Sequence, residues 1–346
     1  YILQFITDIN VDSFKIMKYS LFIYLIAGLL IMCSCQNKKQ TASSNEGPLI
    51  GPSDKKLQSD VMTPEVLWSF GRIADVAVSP DEKKILYSTA YYDIPQNKSN
   101  RELFTMNIDG SDVKQITRTA VNENAAVWTP DGKKIGFLSS ENGSMQLWEM
   151  DLNGEGRKAV SAVEGGITGF IYSPDMKKIL YSKEVKAGKT VKDIYPDLDK
   201  CNAKIIDDLM YRHWDEWVTT FSHLFVADYD ESGFKNDKDI IKDELWESPV
   251  RPFGGMEQIA WSPDSKTLAY TCRKKQGKEY ALSTNTDIYL YDLASGKTEN
   301  ISAVNKGYDV NPQFSPDGLT IAWSSMARDG YEADKKRLVV YDRSTK

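Results

Sequence analysis

The sequence is poor in the side chains that carry much hydrolytic and redox chemistry: its 346 residues include two histidines, His213 and His223, and four cysteines. So few histidines leave little room for a multi-histidine metal site or for several histidine-based catalytic arrangements, and no residue pattern calls for a metal or a cofactor. Positive charge is not in excess either. Lys and Arg number 43 against 49 Asp and Glu, a net charge of −6, so the basic stripe of a phosphate-binding surface is missing and nucleic acid is not an expected partner. No Gly-x-Ser-x-Gly nucleophile elbow occurs anywhere in the chain. Two of the cysteines, Cys201 and Cys272, stand 71 positions apart and show no disulfide framework, so both are expected as unpaired, mostly buried thiols. What is present is ordinary globular material with 41% apolar, 11% aromatic and 27% charged residues, which excludes a disordered or collagen-like chain. The 18 Tyr, 12 Phe and 8 Trp favour β-structure.

The longest apolar run, Tyr19 to Met32, is fourteen uncharged residues, preceded by Met17, Lys15 and Lys18. It is too short for a comfortable spanning helix, which needs about 20 residues, and reads as a signal peptide over 17–35. Cys35 follows the small residue Ser34 at the end of this run, an arrangement that resembles the lipobox of a bacterial lipoprotein. It marks Cys35 as a lipid attachment site and the bacterial periplasm as the expected location, with a membrane lipid anchor, the alternative being ordinary cleavage near the same place that releases a soluble protein. Residues 1–16 are expected to be upstream translation. The polar stretch 36–60 is expected to form a flexible tether.

From there to Lys346 one pattern recurs five times, at Ser79-Pro80-Asp81, Thr129-Pro130-Asp131, Ser173-Pro174-Asp175, Ser262-Pro263-Asp264 and Ser315-Pro316-Asp317, each followed by an alternating apolar strand. Proline presets the first central position of a turn, and the residue after the aspartate must tolerate a left-handed backbone, so each copy predicts a β-hairpin. A third strand follows each hairpin, as in Leu103–Asn107 or Ile288–Asp292, and glycines such as Gly110, Gly154 and Gly296 turn the chain toward a fourth. The turns lie 50, 44, 89 and 53 residues apart, and the long interval is one unit carrying an insertion at about 184–222. Four strands per 40 to 50 residues predict an all-β fold, a β-propeller with five four-stranded blades, the last one incomplete. The recurring turn aspartates are expected to be structural. Thr63-Pro64-Glu65 ahead of the first blade predicts a short helix with threonine at its N-cap.

The insertion carries Arg212-His213-Trp214-Asp215-Glu216-Trp217, preceded by Ile205, Ile206, Leu209 and Met210 at helical spacing, which predicts a short amphipathic helix before it. Two indoles beside two carboxylates suit an ammonium ion, held by cation–π attraction and a charge-assisted hydrogen bond. The alternative is that Arg212 pairs with Asp215 or Glu216 while the tryptophans pack the insertion onto the propeller. His213 and His223 are expected to pack or hydrogen-bond, since no activated serine is apparent for either to serve.

The helical lead-in, the hairpin repeats and the Arg-His-Trp-Asp-x-Trp segment together resemble the prolyl oligopeptidase family of serine peptidases, in particular type-5 dipeptidyl peptidases and the neighbouring acylaminoacyl peptidases. The resemblance runs from about Thr63 to Lys346. It implies a propeller over an α/β-hydrolase domain that is absent from this chain and lies beyond Lys346, where the catalytic Ser, Asp and His would be found, so the chain alone is expected to be inactive. It further implies a peptide substrate, whose free amino terminus Asp215 or Glu216 would hold while Trp214 or Trp217 walls the pocket. A Tol-type periplasmic propeller that binds a protein partner shows the same turns and is the competing reading.

Overall fold

The computed structural model describes residues 49–345, so the signal peptide, Cys35 and the first part of the tether lie outside the described residues. The expected helix is there. Pro64–Ser69 forms it, with the Thr63 hydroxyl accepting the Val66 N–H at 3.4 Å. Five antiparallel sheets then follow one another along the chain. Blades 1 and 2 run over residues 72–115 and 123–159, blade 3 over 169–239, blade 4 over 259–300 and blade 5 over 309–342. The first four have four strands and the fifth has three. The 187–219 insertion joins the second strand of blade 3, Lys178–Lys186, to its third, Thr220–Asp230.

Each turn is built the same way. The Ser or Thr hydroxyl donates to the Asp carboxylate two residues on, at 2.6 Å for Ser79–Asp81 and for Ser262–Asp264 and 2.8 Å for Thr129–Asp131. The same hydroxyl oxygen accepts the N–H that opens the next strand, as at Lys84, Lys178 and Thr267, each 2.9 Å away. The residue after the aspartate is left-handed in all five copies, with φ of 59° at Glu82, 70° at Gly132, 55° at Met176, 59° at Ser265 and 71° at Gly318. Hydrogen bonding to the neighbouring hydroxyl holds the Asp81, Asp264 and Asp317 carboxyls below the ordinary carboxylate range. These aspartates therefore close turns.

The core lies between blades. Leu86 and Leu103 of blade 1 meet Trp128, Ile135 and Phe137 of blade 2, and Leu138 and Leu147 of blade 2 meet Phe170 and Tyr181 of blade 3. Blade 3 presents Leu180 and Leu224 to Trp261, Tyr270 and Cys272 of blade 4, whose Ile288 meets Ile321 and Trp323 of blade 5. Residues next to the turns pin adjacent blades: Trp128 Nε1 donates to the Ala77 carbonyl at 3.1 Å, Trp261 Nε1 to the Ile171 carbonyl at 3.3 Å, and the Tyr172 hydroxyl to Glu149 at 2.8 Å. On the far faces of blades 1 and 5, where no sheet among the described residues packs, Ile73, Val76, Leu338 and Val340 are exposed.

Two expectations need correction. Residues 203–209 form no helix, because Ile205, Ile206 and Leu209 stay exposed and so short a segment gains too little packing to offset nucleation. Cys201 is exposed, while Cys272 is buried as expected and both are free thiols. Blade 3 has the fourth strand expected of it, Gly233–Asp239, which is mostly polar and exposed.

Removing the hydroxyl in Ser262→Ala leaves the Thr267 N–H, which bonds to it at 2.9 Å in a buried turn, short of a partner. The expected cost is about 1–3 kcal/mol, read as a lower urea midpoint. Glu123, fully buried beside Arg157 at 2.7 Å, has its carboxyl pushed up to about 7, burial outweighing the guanidinium. The folded state then holds more protons than the unfolded one between the ordinary carboxylate range and neutrality, so stability falls as pH rises through that window. Glu123→Gln is expected to flatten this slope in unfolding curves recorded from pH 4.5 to 7.5, a range set to bracket roughly the ordinary and raised values.

Candidate functional site

The insertion folds back as a two-residue-per-strand hairpin in which Arg212 faces Trp217 and His213 faces Glu216. Trp214 and Asp215 make its turn, with Trp214 left-handed at φ 52°. A bulky residue in that conformation costs on the order of 1 kcal/mol, offset here by contacts further along. The Trp214 ring meets Phe253 edge to face at 5.3 Å, although both remain largely exposed, at 70% and 78%.

Residues opposite one another in an antiparallel pair share a face, so His213 and Glu216 point to one side and Arg212 and Trp217 to the other. On the second side the Arg212 guanidinium lies 5.3 Å from the Trp217 ring centre, the Lys204 ammonium 5.9 Å and the Tyr211 ring 5.9 Å. Arg212 thus sits over an indole, with no ion pair to Asp215 or Glu216 among the described residues. Both carboxylates are exposed. The structure therefore brings the six predicted residues onto one hairpin but splits them between two faces.

On the His213 face lies a pocket of about 220 Å³. The insertion supplies Leu209, Met210, His213 and Val218, the third strand of blade 3 supplies Phe221, and the connection between blades 3 and 4 supplies Leu245, Glu247 and Arg251. Its far wall is Lys275 to Gly277 and Tyr280, around the helix Gly277–Leu282 of blade 4. Gly277 is required: at φ 51°, a Cβ there would sit 2.0 Å from the Asp208 carboxylate, so glycine lets the insertion close against the helix.

The base of the pocket is charged but internally paired. Glu247, 4% exposed, accepts from Arg251 Nε at 2.8 Å and from the Tyr280 hydroxyl at 2.9 Å. Arg251 also donates to the Thr220 carbonyl at 2.7 Å and to Glu184 at 3.2 Å. Burial alone would lower the Arg251 guanidinium, but the Glu247 charge and hydrogen bond together with the Glu184 charge outweigh it and hold it above its ordinary value. Burial and then the Glu247 charge push the Tyr280 hydroxyl up, so it stays protonated and donates.

Sequence reasoning reached His213 and the Arg212–Trp217 motif but missed the hairpin it forms and missed Glu247, Arg251 and Tyr280. They lie in an aperiodic connection and a six-residue helix, and no spacing links them. His223 is elsewhere: it is buried in blade 3, with Nδ1 2.8 Å from Asp239, in the hydrogen-bonding role expected of it.

The fold makes this chain a β-propeller of the TolB type, and the family described as TolB beta propeller domain matches residues 65–213. Its close homologues are more particular. The chain is 52% identical over 294 residues to dipeptidyl-peptidase 5 of Porphyromonas gingivalis, a match covering 85% of this chain and 43% of that protein. Dipeptidyl-peptidase 5 of Porphyromonas endodontalis is 44% identical over 290 residues, covering 83% of this chain and 42% of the relative. Among solved structures, an acylaminoacyl peptidase of Pyrococcus horikoshii superposes with a TM-score of 0.57 at 17% identity, over 79% of this chain and 38% of that one, a likeness of fold. The chain thus spans less than half the length of these dipeptidyl-peptidase 5 relatives, and what it shares with them is the propeller part.

Arg251→Met leaves the 4%-exposed Glu247 without its cation. We expect a loss of about 3–5 kcal/mol in urea unfolding, with Glu247→Gln in the Arg251→Met background recovering part of it.

Proposed function

We propose that this chain is the substrate-gating propeller of an exported serine exopeptidase of the dipeptidyl-peptidase 5 kind, which removes dipeptides from the free amino ends of short peptides. The observation that carries this reading is the 52% identity to a dipeptidyl-peptidase 5 across 85% of the chain. With no Gly-x-Ser-x-Gly elbow in these residues, the reacting serine, its histidine and its aspartate belong to an α/β-hydrolase part outside them. The exposed apolar faces of blades 1 and 5 suit contact with further parts of such a protein. In this reading the signal peptide exports the protein and Cys35 carries a lipid that holds it at the membrane on the periplasmic side.

The propeller's part is selection. It narrows access to the reacting centre and offers the carboxylates of Asp215 and Glu216 to the peptide's ammonium group, beside the exposed indole of Trp214. The face of Trp217 already carries Arg212 and Lys204 of the chain itself, so Trp214 is the freer of the two rings. An exopeptidase that requires a free amino terminus needs such an anionic partner, because an ammonium ion leaving water without one is strongly disfavoured.

The test uses the full-length protein that bears this chain. It is expected to hydrolyse dipeptidyl substrates with a free amino end and to leave their N-acetylated forms intact. Asp215→Asn or Glu216→Gln removes the anion that accepts the ammonium hydrogen bond, and is expected to raise KM about tenfold or more for the free-amino substrates with a smaller change in kcat. Unchanged kinetics in both variants sinks the ammonium site, and faster cleavage of acetylated peptides points to an acylaminoacyl peptidase instead.

A further inference from the structure

We propose that Asp329, in the loop between the second and third strands of blade 5, is a positioning residue: it fixes the helix Gly277–Leu282 of blade 4 and through it the far wall of the pocket under the hairpin. The proposal rests on the dipeptidyl-peptidase reading for its kinetic consequence and goes beyond it, since Asp329 belongs to another blade and does not line the pocket.

The helix needs outside support. It has six residues, its N-cap Gln276 makes no side-chain capping bond, and Gly277 is its one buried residue. A segment that short does not hold itself. At its start Gly277 rests against Asp208 of the insertion, and in its middle the Tyr280 hydroxyl donates to Glu247 while the Arg273 guanidinium lies 4.8 Å from the Tyr280 ring centre. Its end is held from blade 5. One oxygen of Asp329, Oδ1, accepts from the Ser283 hydroxyl at 2.6 Å and from the backbone N–H groups of Thr284 at 2.8 Å and Asn285 at 3.1 Å. The Gly330 N–H adds a bond to the Thr284 hydroxyl oxygen at 2.9 Å.

The loop serves as an anchor because it is closed on itself. Asp334 accepts the N–H groups of Ala327 at 3.2 Å and Arg328 at 3.0 Å and pairs with the Arg328 guanidinium at 3.1 Å, and the strands Thr320–Ser325 and Arg337–Asp342 fix its two ends. Burial alone would raise the Asp329 carboxyl, but the hydrogen bonds from Ser283, Thr284 and Asn285 together with the Lys275 charge hold it below the ordinary carboxylate range. It therefore accepts as an anion, which makes the stronger kind of hydrogen bond. Tyr280 precedes Ser283 by three residues, about 4.5 Å along the axis, so a shift at the end of the helix reaches the phenol in the pocket wall.

The experiment measures kcat and KM of the full-length protein for a dipeptidyl nitroanilide with a free amino end, together with backbone amide hydrogen exchange, in Asp329→Ala, Asp329→Asn and Ser283→Ala. Asp329→Ala is expected to raise KM about three- to tenfold with kcat changed by less than about twofold, and to speed exchange over residues 280–285 about tenfold or more while the blade cores keep their protection. Asp329→Asn keeps an acceptor oxygen and is expected to recover part of the KM. Ser283→Ala removes one of the same bonds from the other side, so it is expected to raise KM alone and to add nothing in the Asp329→Ala background. Unchanged KM in Asp329→Ala, a fall in kcat as large as the rise in KM, or additive effects of the two changes overturns the positioning role and leaves the peptidase reading standing. If Asp329→Ala does not fold, Ser283→Ala decides by the same two measurements. Absence of hydrolysis by the unmodified protein overturns the peptidase reading instead, and exchange then decides the anchor: protection lost over residues 280–285 in Asp329→Ala supports it, and protection retained there overturns it.

Discussion

Everything in this structure depends on the burial of one sheet's apolar face against the next. No blade has a core of its own. Leu86, Phe137, Tyr181 and Tyr270 are fully buried, and each lies in a cluster drawn from two consecutive blades. The burial itself is non-directional, so the specificity comes from polar devices around it. The hydroxyl-and-aspartate turns fix where each hairpin bends, and the Trp128, Tyr172 and Trp261 hydrogen bonds tie blade 1 to 2, 2 to 3 and 3 to 4. Each bond contributes about 1 kcal/mol, little beside the buried area, yet a slip of one residue would turn every apolar side chain to the wrong face.

The site grows out of this arrangement where the repeat is interrupted. Blade 3 departs from the regular spacing twice, once through the insertion between its second and third strands and once through the long connection to blade 4. Both excursions project from the same end of the blade and meet the helix Gly277–Leu282, which closes a cavity that no regular blade could form. Its base holds two opposite charges and a tyrosine that satisfy one another. Such a buried pair contributes little net stability, but it leaves the floor of the cavity without net charge.

The architecture was legible in the chain to an unusual extent because it is repeated. Five copies of Ser/Thr-Pro-Asp, with φ positive at the residue after each aspartate, predict turn, register and blade count together, and the described strands follow that reading. The departures are local. The apolar spacing of Ile205, Ile206, Leu209 and Met210 suggested a helix, but periodicity stabilises a helix only if a surface is available to cover its face, and none is. The fourth strand of blade 3 was expected from the blade pattern but had no clear apolar alternation to place it, since Gly233–Asp239, paired with Thr220–Asp230, is mostly polar. The site was half legible: the Arg212–Trp217 motif stood out by composition, whereas Glu247, Arg251 and Tyr280 carried no pattern at all.

The amino-acid sequence by itself determined the propeller, its turns, the place of the insertion and the absence of a nucleophile elbow, because each of these is written in short-range spacing that needs no partner to be read. Only the tertiary structure decided which carboxylate shares a face with the pocket, that Arg212 turns to Trp217 instead of to an acid, and that residues as distant along the chain as Asp208, Glu247 and Tyr280 line one cavity. Those outcomes depend on how non-local segments fold over one another, and contact between distant residues leaves no trace in the order of either.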